Sequence, residues 1–104
     1  MSTLNENQER AKCGEPGTAV LVAMSGISAQ TAAALTDGQL YVITCASAYH
    51  YAAGADPTAT TNSPMWPANV PNYITGTGKK YAFINVTEQA DATVFITPLN
   101  GYRV

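Results

Sequence analysis

From residue 18 onward apolar positions recur every second residue far more often than every third or fourth. TAVLVAM (18–24) is apolar and largely β-branched and lies between Gly17 and Gly26, which predicts a strand. QLYVITCA (39–46) predicts another. Its Tyr41, Ile43 and Cys45 fall on one side and Leu40, Val42 and Thr44 on the other, and both sides are apolar enough for a central position in a sheet. After Ser47, AYHYAAG (48–54) continues the period, with Tyr49 and Tyr51 on one face and His50 on the opposite one. NYIT (72–75) is a short strand, and KYAFINVT (80–87) separates Ala82, Ile84 and Val86 from Tyr81, Phe83 and Asn85. ATVFITPL (92–99) sets Val94 and Ile96 opposite Phe95, and Pro98 marks its end or an edge position.

The connections are short. Asp37-Gly38 is a strong turn signal, GTGKK (76–80) is a glycine turn carrying two lysines, and EQAD (88–91) is a polar turn. ISAQTAAALT (27–36) is ambiguous: its alanines favour a helix, but ten residues without a clear apolar stripe make a marginal one. Residues 1–17 end in the loop signature CGEPG and are too polar to pack a core face. They read as a flexible N-terminal arm, with or without a short frayed helix, that orders only against a partner. Residues 18–104 read as a single β domain with no internal repeat. Five or six closely spaced strands with little helix predict an all-β fold, a small antiparallel β-sandwich or a jelly-roll-like barrel.

Charge changes the picture of the surface. Charged residues make up 12% of the 104, about half the usual share. Between Glu15 and Lys79 only Asp37 and Asp56 are charged, so the middle of the chain presents Ala, Thr, Ser, Asn and Gly to its surroundings. Monomeric domains keep charge on their surfaces for solubility, and a neutral surface points to contact with further copies or another protein. At a net charge of −2 there is no basic patch, which argues against nucleic acid, and no apolar run is long enough to span a membrane. The polar N-terminus lacks the apolar segment of a secretory leader, which predicts synthesis and retention in a cytosol. Cys13 and Cys45, far apart and without a C-x-x-C pair, then read as two reduced thiols, and with one histidine no zinc set is available.

The stretch TTNSPMWPANVPNYI (60–74) raises a specific question. It holds three prolines and the only tryptophan, Trp66, and no charge. An exposed Met-Trp pair is a sticky patch. Either Trp66 folds back and plugs one end of the domain, or it inserts into a neighbouring subunit as an anchor. Met65, Trp66, Pro67, Val70 and Tyr73 are the candidate partner-binding residues.

No catalytic arrangement emerges, and neither a cofactor nor a metal is expected. A serine triad needs His50 as its base, but no nucleophile elbow is present and His50 sits between two tyrosines on a strand. Asp37, Asp56, Glu88 and Asp91 all fall in turns, where carboxylates serve local hydrogen bonding. GTGKK lacks the spacing of a phosphate loop, and Asn85-Val86-Thr87, a glycosylation pattern, lies inside a strand.

The order of segments from residue 37 to 99 carries a resemblance. A strand ends in AYHYAAG, the segment ADPTAT follows, then MWPANVPNYI, a small-residue turn, an apolar strand and the closing ATVFITPL. This pattern resembles small all-β virion structural proteins of tailed bacteriophages, of the head decoration or cement type. The resemblance implies a protein that coats the assembled head, clusters commonly as a trimer, and bridges subunits of the major capsid protein by binding energy alone. Two other readings are carried. One is a tail, neck or fibre-associated virion subunit of the same fold. The other is a small carbohydrate-binding module with Trp66, Tyr49, Tyr51 and Tyr73 as a stacking platform.

Overall fold

The computed structural model describes residues 15–100. Nine strands form: β1 (Glu15–Pro16), β2 (Val20–Met24), β3 (Ala29–Gln30), β4 (Leu40–Thr44), β5 (Tyr49–Gly54), β6 (Met65–Trp66), β7 (Asn72–Thr75), β8 (Lys80–Asn85) and β9 (Ala92–Asn100). They make two antiparallel sheets packed face to face, the expected small β-sandwich, with no helix among the described residues. The first sheet runs β2–β9–β4–β7, with β1 continuing the β2 edge along β9, and the second runs β3–β8–β5–β6. Residues 1–14 of the expected arm lie outside the described residues, as does Cys13.

Strict alternation explains the core. Val22, Met24, Tyr41, Ile43, Val94 and Ile96 point inward from the first sheet, and Tyr49, Tyr81 and Phe83 from the second. Cross-strand pairing of Tyr51 with Phe83 and of Ala53 with Tyr81 brings four rings together. Tyr49 meets Phe83 edge-on at 5.6 Å between centroids, and Tyr51 stacks on Tyr81 at 6.5 Å.

Three sequence expectations are refined by tertiary contacts. The 27–36 stretch is not helical: Ala29–Gln30 pairs with β8, and the chain then follows β8 irregularly, with Leu35 N–H donating to the Lys79 carbonyl at 2.9 Å. Leu35 is buried while Ala32, Ala33 and Ala34 are exposed, so no apolar stripe exists to hold a helix against the core. Residues 15–17, grouped by composition with the arm, run along β9. Pro16 pairs with Leu99 and Val20 with Ile96, so three residues oppose two and a bulge forms. Pro98 does not end its strand; it lies at that bulge, where the missing N–H breaks no regular ladder and its carbonyl accepts from Gly17 N–H at 2.8 Å.

Candidate functional site

The long loop between β5 and β6 answers part of the question raised by Trp66. Residues 55–64 cross the outer face of the second sheet. Gln30 Nε2 donates to Asp56 Oδ1 at 2.9 Å, Ala59 N–H donates to Ser28 Oγ at 2.9 Å, and Tyr51 N–H donates to the Pro64 carbonyl at 3.0 Å. His50 Nδ1 lies 2.8 Å from the Ser63 carbonyl, so that nitrogen carries the proton and donates. The loop therefore covers small outward side chains, and both Ala82 and Ala59 are buried. His50 holds the loop down.

β6 then pairs with β5, Trp66 opposite Tyr49 and Met65 opposite His50. A strand sends neighbouring side chains to opposite faces, so Trp66 turns in against the core and Met65 turns out. The indole Nε1–H donates to the Val70 carbonyl at 2.8 Å, which closes the turn through Pro67. Beyond it Asn72 is buried at the start of β7, its amide 3.4 Å from the Tyr49 hydroxyl. Burial pushes that hydroxyl's pKa up to about 12, partly offset by the Asn72 bond. Of the five candidates, Met65, Pro67, Val70 and Tyr73 are exposed along one flank of the sandwich, and Trp66 is half-buried beneath them. The four aromatics of a sugar platform are not on one surface: Tyr49 is in the core, Tyr51 and Trp66 pack against it, and only Tyr73 stands free.

The structure adds three residues that the sequence reading left out. Leu21, Ile27 and Phe95 are exposed large hydrophobics, Ile27 at 78%. Alternation already pointed Phe95 away from Val94 and Ile96, and the same count places Leu21 opposite Val22; the signal was present but unused. On the outer face of the first sheet, Leu21, Phe95 and Thr44 form one cross-strand row, and Thr97, Val42 and Tyr73 form the next. Among the described residues no outward side chain of β2, β9, β4 or β7 is charged, and Asp91 stands at the rim beside Ala23 and Thr93. A concavity lined by Thr44, Asn69, Pro71 and Phe95 joins it to the 67–71 turn.

The ionisable groups do not converge. Among the described residues no three His, Cys, Asp or Glu side chains come together. Cys45 is a buried free thiol. Asn85 is buried, and its amide donates to Asp91 Oδ1 at 2.8 Å, tying the 86–91 turn to the strand. What the arrangement offers chemically is therefore a neutral face with exposed aromatic and aliphatic groups, flanked by two sheet edges.

No family model, no curated protein and no solved structure matches this chain.

Proposed function

We infer that this protein is a structural subunit without enzymatic activity: a homo-oligomeric decoration or cement protein of a tailed-phage head. It is made in the bacterial cytoplasm and carried in the virion, where it bridges major capsid protein subunits. The observation that carries the binding role is the uncharged outer face of the first sheet, with Phe95 and Tyr73 exposed on it. Exposed large hydrophobics without surrounding charge suit a surface covered by protein, and aromatic residues are the usual anchors of such contacts. The virion placement rests on the sequence resemblance over residues 37–99. The winding is compatible with it: two sheets ordered β2–β9–β4–β7 and β3–β8–β5–β6 follow the strand order of an eight-stranded jelly roll, an architecture used by viral capsid domains and also by lectins. Fold alone does not choose between those uses. The dispersal of the four sugar-platform aromatics favours the structural subunit.

The test is sedimentation of the purified chain with empty heads of the phage that encodes it. The chain should pellet with heads in a fixed ratio to the major capsid protein and should ignore a glycan array. Failure to pellet with mature or immature heads would sink the decoration reading, and the tail-associated reading would replace it.

A further inference from the structure

The two edges of the first sheet differ from those of the second. In the second sheet the edge strands β3 and β6 are two residues each, and Pro64 and Pro67 flank β6. Short, proline-bracketed edges are the ordinary protection against unwanted pairing. β2 has five residues, VLVAM, with no proline and no charge, and β7 has four, NYIT. Among the described residues β2 pairs only with β9 and β7 pairs only with β4. Each open edge carries its own apolar group. Leu21 and Ile27 lie by β2, the latter in the corner leading to β3. Val70 and Tyr73 lie by β7.

We propose that copies of this chain join head to tail, with the β2 edge of one adding to the β7 edge of the next. Strand parity supports this. The path β2–β9–β4–β7 has four strands, every neighbour antiparallel, so β2 and β7 run in opposite directions. A copy rotated about an axis parallel to the strands therefore brings its β7 antiparallel to β2, and the sheet continues without a break. A register that sets Leu21 beside Tyr73 of the next copy keeps both on the outer face. Val20 and Val22 then meet Ile74 and Asn72 of the next copy on the inner face. The same register carries Val70 of the next copy toward Met24 and Ile27. Both edges lie in uncharged stretches, residues 16–36 and 57–78, so the joint brings no like charges together and offers a charged partner nothing to pair with. Pairing of β2 with its own copy leaves Val70 and Tyr73 bare; the head-to-tail joint covers both groups with one contact. Such a contact closes into a ring when the rotation permits and otherwise makes a filament. It gives the oligomer of the proposed function its contact surface, and rests on that reading only for the oligomer's use.

The test uses three purified full-length chains: wild type, Ala23→Lys on the β2 edge and Tyr73→Lys on the β7 edge. Both altered side chains are exposed, and circular dichroism checks that each variant is folded. Light scattering should give a multiple of the chain mass for wild type and the single-chain mass for each variant alone. An equal mixture of the two variants should give a two-chain complex, because one intact β2 edge meets one intact β7 edge. A single-chain wild type overturns the proposal, as does either variant keeping the wild-type mass; retention by Tyr73→Lys alone would mean that β2 pairs with itself. A mixture that stays single-chain overturns it as well. A single-chain wild type that still sediments with heads would sink the joint and leave the decoration role standing, whereas an oligomer that ignores heads would do the reverse.

Discussion

The Trp66 indole donates its hydrogen bond to the carbonyl of Val70, four residues on, at 2.8 Å. The bond fixes the 67–70 turn, and the ring beneath it fills the space beside Tyr49 between β6 and β7. Removing the ring deletes both. Trp66→Ala should lower stability by about 2 kcal/mol, less than a fully buried tryptophan because the ring is half-exposed, and Trp66→Phe by about 1. Urea midpoints followed by circular dichroism measure this. At concentrations where the chain is single, Tyr73→Ala, exposed on the outer face, should stay within about 0.5 kcal/mol. Equal losses for Trp66→Ala and Tyr73→Ala would contradict the plug.

Tyr49 makes stability fall at alkaline pH. Burial raises its folded-state pKa from 10.0 to about 12, and burial pushes Tyr81 in the same direction. A raised folded pKa means that the unfolded chain loses the proton first. The contribution is therefore fully present below about pH 10 and is lost as pH rises toward 12. The loss should be of order 1–2 kcal/mol, visible as a falling urea midpoint over that window. Tyr49→Phe should flatten the fall. It should also cost about 1–2 kcal/mol at neutral pH, because the buried Asn72 amide loses its acceptor.

Gly76 is required by a close approach of two chain segments. Its N–H donates to Gln39 and its carbonyl accepts from Gly38, each at 2.8 Å. A Cβ there would fall inside the contact shell of the Thr36 carbonyl oxygen, part of the backbone. Gly76→Ala should cost about 3 kcal/mol. Gly26, where a Cβ meets nothing, is the control, and Gly26→Ala should cost under about 1 kcal/mol. Thermal melts of the two variants compare them directly.

The loop over the second sheet depends on small side chains beneath it. Ala82, with no exposed surface, pairs with Gln30 on one side and Ala52 on the other, and loop anchors lie on both strands. Ala82→Leu should lift residues 55–63, cost about 1–3 kcal/mol by overpacking, and make the loop a new site of limited proteolysis. Unchanged proteolysis with unchanged stability would mean that the loop does not rest there.

Strand existence and facing were legible because the code for them is local. A period of two with Gly or Asp-Gly punctuation identified six strands, β2, β4, β5, β7, β8 and β9. It also put Tyr41 and Val42, Tyr49 and His50, and Phe83 and Ala82 on opposite faces, and the first of each pair joins the core cluster while the second does not. The short strands β1, β3 and β6 were not legible. Two residues carry no period, and each exists only because β9, β8 or β5 offers an open edge to pair with.

By itself the sequence determined an all-β chain with alternating faces and an uncharged middle, since period and composition need no knowledge of what lies opposite. Tertiary structure alone decided that Trp66 turns inward while Met65 beside it stays out, that the 55–64 loop covers Ala82, and that the face on which alternation sets Leu21 and Phe95 has no cover. Burial is a property of the partner surface. Alternation gives every strand two faces, and only long-range pairing settles which face finds a cover and which edge stays open.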